Sequence, residues 1–219
     1  MMSNRTPLLL FAVLVACHNR ADGHVGVDSG LGAVDAGGRV GAHALTFYRD
    51  SENNKTSLTT PTLAVQATGS TIVVGVAHGE IKAFATPTGK PSAGSFVQLG
   101  GLHAYTRWPE SGTGAYALTS ATLGKDFTVS TKTAAWDETT MAVVEIRDSS
   151  RIQAFEWNEV LDGPLTSRSV TTTGPATLVA FWWGDGNVKT PHTATPNNGF
   201  VLIDALLAPG ALVQCAVAV

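Results

Sequence analysis

Cysteine is scarce: Cys17 and Cys215 are the only two in 219 residues, which excludes a disulfide-stapled scaffold. Charge is sparse as well. Asp, Glu, Lys and Arg make up 14% of the chain against 44% apolar residues, a balance that favours a buried core over disorder. The net charge is -3, and the fourteen Lys and Arg are scattered without a cluster, so nucleic acid has no electrostatic footprint here. An acidic lipid surface would not attract such a domain either. The chain lacks the Gly-x-Ser-x-Gly elbow, the His-Glu-x-x-His helix, the Gly-x-x-x-x-Gly-Lys loop and a Cys-x-x-Cys pair, and no catalytic residue is assigned. Its histidines stand at 18, 24, 43, 78, 103 and 192, and no two have a spacing suited to one metal. No metal site and no cofactor are implied. No window keeps apolar residues at i, i+3, i+4 and i+7 for three turns, which excludes a long amphipathic helix.

What is present begins at the amino terminus. Behind Arg5 runs an unbroken apolar stretch from Leu8 to Val15. At about 1.5 Å per residue, about eight or nine residues cannot cross a hydrocarbon core of about 30 Å, so the segment reads as an export signal. It has no polar face by which to pack as a surface helix. It closes on Leu14-Val15-Ala16-Cys17. That tetrapeptide resembles the lipobox of bacterial lipoproteins. The resemblance implies a signal peptide over residues 1–16, cleavage before Cys17, lipid on its thiol, and a membrane contact made by the acyl chains. His18 stands where some lipoproteins carry a sorting Asp, which resembles an outer-membrane destination in the cell envelope. Cys215 is then the sole remaining thiol and reads as a small core hydrophobe.

Residues 17–42 are dense in Gly, Ala and Asp with no sustained period, and read as a flexible tether. Asp22, Asp28 and Asp35 do not match a calcium-binding loop. From residue 43 to 219 the composition is that of one domain. β-Branched and aromatic residues alternate with Thr, Ser and Ala, and Gly, Pro and Asn punctuate the chain, an all-β signature. Strands are expected at 45–49, 62–68, 71–78, 96–100, 102–108, 114–120, 127–131, 140–147, 152–158, 166–172, 176–183, 200–204 and 212–219. Asn198-Gly199 suits a type I′ turn, and residues 184–187 a second tight loop. About a dozen short strands without helices predict a two-sheet antiparallel sandwich, jelly-roll-like in character. The last strand places Val213, Cys215, Val217 and Val219 on one apolar face. Either the terminus is tucked into a sheet, or a closing strand is wanting.

Five segments carry a wider likeness: Thr71 to Val76, Tyr105 to Trp108, Met141 to Glu145, Arg151 to Asn158 and Phe181 to Gly186. Together they resemble a group of uncharacterised exported bacterial lipoproteins, of myxobacterial type, with a jelly-roll-like β-sandwich. The resemblance implies fold and localisation and no catalysis. In that group a further strand follows the segment matching Gln214 to Val217.

Candidate binding residues follow from strand parity. In Leu178 to Trp183, Val179, Phe181 and Trp183 share one face, so the adjacent Trp182 takes the other, beside the polar residues Asp185 and Asn187. A flat indole next to carboxylate and amide groups suits the stacking of a sugar ring. His103, Tyr105 and Arg107 share a face expected to meet solvent, and Trp157, Asn158 and Glu159 are expected at a rim. Glu145, with apolar neighbours on both sides, calls for an arginine partner among Arg107, Arg147 and Arg151. The leading expectation is a lipid-anchored envelope protein whose sandwich binds a ligand, carbohydrate above all, without turning it over. The alternatives are a polysaccharide hydrolase or lyase on a similar scaffold, which needs two carboxyls astride a bond, and an adhesive envelope protein.

Overall fold

The computed structural model describes residues 8–16, 39–49, 56–66, 69–91, 94–121, 123–134, 138–161, 164–185, 193–207 and 213–219, with the backbone alone at 8–16, 49, 185 and 213. The first strands are β1 (Leu8–Ala16), β2 (Val40–Arg49), β3 (Ser57–Thr59), β4 (Ser70–His78), β5 (Thr88–Lys90), β6 (Val97–Ala104) and β7 (Gly112–Ala121). They are followed by β8 (Thr128–Lys132), β9 (Glu138–Ile146), β10 (Arg151–Val160), β11 (Thr177–Asp185), β12 (Leu202–Leu206) and β13 (Val213–Ala218). The one helical element among the described residues is a single 3₁₀ turn, Ile81–Ala83. The all-β expectation holds.

The strands form three antiparallel sheets, ordered β2-β9-β4-β7-β6, β10-β1-β11-β13-β12 and β3-β8-β5. The first is the middle layer. Its strand β4 is buried at all nine positions, which is why Thr71 to His78 reads as a continuous apolar run rather than an alternating one. Val73 and Ala77 turn to a core shared with Val179, Phe181, Trp183, Cys215 and Val217 of the second sheet. Ile72, Val74 and Val76 turn to a second core with Tyr116, Phe127, Val129 and Met141. The two-sheet sandwich is therefore the first core, and a small third sheet covers the far side of the middle layer. Gly75 permits the closest approach between the main sheets. The Trp183 indole lies where its Cβ would stand, so a side chain there would overlap the ring.

Several boundaries differ from expectation. The first strand after residue 38 begins at Val40 and not at Leu45, because Val40 pairs with Ile146 and the Ala42 amide donates to Glu145, drawing 40–42 into β2. In place of separate strands at 96–100 and 102–108 there is one, β6, which ends at Ala104 and carries a register shift between Leu99 and His103, around Gly100 at φ +61°. Residues 166–172 form no strand, and 62–68 contributes a single bridge, Leu63 to Phe127. The three-residue strands β3 and β5 were too short for periodicity to reveal. The terminus is tucked in: Val219 exchanges backbone hydrogen bonds with Val201 at 2.7 and 3.0 Å. The apolar segment Leu8–Ala16, expected as part of a signal peptide, forms β1, between β10 and β11. Cys17, the tether residues 18–38, Asn187 and the turn residue Gly186 lie outside the described residues.

Candidate functional site

Strand alternation places the two neighbouring tryptophans of β11 on opposite faces. Val179, Phe181 and Trp183 are fully buried, whereas Trp182 is half-buried on the outer face of its sheet. Trp182 floors a cavity of about 620 Å³. Register carries the floor into β13, where Ala216 pairs with Trp182 and the buried Gln214 with Gly184, so both border the same cavity. One wall is the segment Pro164 to Ser167. The other is Thr193 to Asn198 with Phe200.

Both walls have identifiable supports. Asn198 at φ +55° and Gly199 at φ +84° take the left-handed conformations that a type I′ turn requires, and the Phe200 amide closes the turn onto the Asn197 carbonyl at 3.2 Å. The opposite wall is held by Asn158, whose side-chain amide donates to the Thr166 carbonyl at 2.9 Å. Asn158 and Trp182 both pair with Leu10, so they share the outer face two strand spacings apart, about 9.5 Å. Asn158 thus positions a wall rather than lining the cavity. Asp185 ends β11 opposite Val213.

The other sequence candidates gather elsewhere, at the edge where β10 meets β6. The His103 ring lies against Trp157, tilted by 37° with centroids 3.7 Å apart, and its Nε2 lies 3.2 Å from Glu159 Oε2. Glu159 also accepts the Thr106 amide at 3.0 Å and the Thr106 hydroxyl at 2.7 Å. Burial lowers the His103 pKa, and the Glu159 hydrogen bond and charge oppose that shift. The expected solvent-facing trio is corrected. Parity holds, but the shared face of His103 and Tyr105 turns inward, with Tyr105 in the first core and 6% exposed. Arg107 lies beyond the end of β6 and is exposed, while Leu102 takes the outward face. This edge is a clasp between sheets, with Trp157, 37% exposed, as its outer plate.

Glu145 finds the arginine expected of it. It is fully buried, and Arg147 Nε stands 3.8 Å from its carboxylate. The same carboxylate accepts the Ala42 amide at 2.9 Å, the Gln66 amide at 2.7 Å and the Ser70 hydroxyl at 2.6 Å. The Ala42, Gln66 and Ser70 donors tie segments outside β9 to this side chain, so this is a structural clasp. Cys215 is buried in the first core, and desolvation, with the Asp204 charge second, pushes its thiol pKa well up. Its thiolate is therefore scarce.

The cavity walls escaped sequence reading because 166–172, expected as a strand, forms none, and 193–199 carries no period of either kind. The one local signal there was Asn198-Gly199. Of the residues named from sequence, the structure places Trp182 in the cavity and Asn158 behind its wall, and separates both from His103, Tyr105 and Trp157. No protein-family model, curated protein or solved structure matches the chain.

Proposed function

We propose that the chain is a lipid-anchored protein of the cell envelope whose β-sandwich binds an uncharged carbohydrate in the cavity over Trp182, without turning it over. One observation carries the ligand class: a half-buried indole floors a half-open cavity whose described lining is hydroxyl, amide and apolar. Thr166, Ser167, Thr195, Asn197, Asn198 and Gln214 supply donors and acceptors, and Leu165, Phe200 and Leu207 supply apolar wall. The pairing of a ring's C–H face with an aromatic plane, and of its hydroxyls with neutral polar groups, is what such a lining offers. Its volume falls within the range of small-molecule sites, about 300–1,000 Å³. Among the described lining residues there is no Asp, Glu, Lys, Arg or His, which suits a neutral ligand held rather than an oxocarbenium ion stabilised.

The anchor rests on Leu14-Val15-Ala16-Cys17 behind an apolar run too short to span a bilayer. Palmitate labelling of the expressed protein is expected, with loss of label in Cys17→Ser. For the ligand, the full chain is applied to an array of neutral and charged glycans. Binding to neutral glycans that falls at least tenfold in Trp182→Ala, and survives in Trp157→Ala, supports the reading. A flat array from folded protein, or a signal lost equally in both variants, removes it.

A further inference from the structure

Strand β1 occupies a place in the sheet that the lipoprotein reading empties. Leu8 to Ala16 pair with Val160 to Arg151 on one side, and Leu8 to Val15 pair with Gly184 to Thr177 on the other. Among the described residues β10 has no ladder partner except β1. Cleavage before Cys17 therefore opens two facing rows of backbone N–H and C=O groups about 9.5 Å apart, flanked on the core side by Phe155 of β10 and Val179, Phe181 and Trp183 of β11, which share an apolar core with Val73, Ala77, Ala115 and Ala142 of the facing sheet.

The gap cannot simply close. β10 is fastened to the far sheet by Glu159 on Thr106 and His103, and by the Trp157 contact with His103. β11 is fastened by β13 and by Trp183 over Gly75. Bringing β10 onto β11 would move one of them by a full strand spacing and break those contacts. Every other described strand already has its place in a sheet.

We infer that removal of the leader turns the space between β10 and β11 into an acceptor site for a partner strand: an extended, uncharged, apolar polypeptide segment of about nine residues, antiparallel to both neighbours. The chemistry of the occupant is read from what the site offers, two open ladders flanked by an apolar core, and from the nine-residue apolar segment seated there. The inference rests on the lipoprotein reading, and its test separates the two.

A full chain bearing Cys17→Ser and a specific protease site within residues 18–38 is cleaved and challenged with a dye-labelled Leu8–Ala16 peptide flanked by lysines. The expected result is that the cut leader co-elutes with the domain, exchanges with the labelled peptide, and is replaced at least tenfold less well by an Ala12→Pro peptide, which removes an N–H from the middle of the ladder. If the domain unfolds on losing the leader, refolding that depends on the peptide and fails with the proline version gives the same answer. Loss of the leader with unchanged amide protection in β10 and β11 and no peptide uptake overturns the proposal, as does refolding indifferent to the proline. Amino-terminal analysis of the membrane-extracted protein tests the reading beneath it. A chain that keeps Leu8–Ala16 sinks the lipoprotein reading and the acceptor site with it, whereas failed exchange alongside a chain that begins at Cys17 sinks the acceptor site alone.

Discussion

The inner and outer faces of β11 differ by one residue of parity and by everything that follows from it. Trp183 is sealed between two sheets, stacked on Phe181 with ring centroids 5.5 Å apart and seated over Gly75. Trp182 looks the other way, across a cavity roofed by irregular segments. Two identical side chains in sequence thus divide into one that holds the sandwich together and one placed to meet a ligand. The difference teaches that adjacency in a strand is opposition in space, and that stability and recognition can be assigned to different faces of the same nine residues.

The sharpest way to break this contrast is to truncate each indole in turn. Trp183→Ala is expected to cost about 3–5 kcal/mol, since a large aromatic leaves a cavity that two packed sheets cannot collapse around. Trp182→Ala is expected to cost less, because its ring is only partly buried and borders a cavity instead of a packed sheet. Urea unfolding of the two variants, followed by far-ultraviolet circular dichroism, checks both. Equal losses would mean that the outer face is core under another name.

Next in size is the clasp at Glu145, which shows what a carboxylate does when all its partners are protein. In Glu145→Gln one oxygen becomes an NH₂ that faces a backbone donor, either Ala42 or Gln66, across a fully buried site. A loss of about 2–3 kcal/mol is expected, of the size of an unsatisfied buried pair. The amides of Ala42 and Gln66 should lose hydrogen-exchange protection selectively in the same variant. A global loss of protection without that local signature would place the clasp's worth elsewhere.

Gly75 gives a third handle on the inner face alone. Gly75→Ala puts a methyl group into the Trp183 indole, and overpacking of this kind costs about 1–3 kcal/mol. Combining it with Trp183→Phe should recover part of that loss, because the smaller ring vacates the space, and the shortfall from additivity measures the contact. Additive losses would show that the two side chains do not share the space the packing gives them.

What could be read from the chain before its structure divides along the same line. Alternation in Leu178 to Trp183 and the unbroken run in β4 were legible because a face buried by a packed sheet imposes a period of two, or none, on its residues. The arginine partner of Glu145 was legible because a charge among apolar neighbours demands a counter-ion. The face of Tyr105 was misjudged for a physical reason. His-Ala-Tyr-Thr-Arg looks polar, and only the β6 register shift at Gly100, with β10 lying across the strand, shows that the polar-looking face is the inner one. Phe200 and Gln214 entered the cavity through tertiary placement, for which neither residue carries a local signal. The place of Leu8–Ala16 in a sheet was equally invisible, because an apolar run without alternation fits a leader and a strand covered on both faces alike.

The smallest expected effect lies at the second aromatic cluster, and it concerns proton binding. Desolvation holds the His103 pKa below its ordinary value of 6.5, against the opposing pull of Glu159. An unfolded chain therefore takes up this proton more readily than the folded one. The linkage sign follows: stability is fully present above the unfolded value and declines as the pH falls from about 6.5 through the lower folded value. His103→Asn removes the titrating ring and should flatten that limb of the stability profile. Trp157, lying against His103, offers a local readout, since an imidazolium formed 3.7 Å from the indole quenches its emission. An emission change between pH 7 and pH 5 that persists in His103→Asn would assign the titration to another group. An unfolding midpoint that rises on acidification would show that the Glu159 charge outweighs burial at this edge.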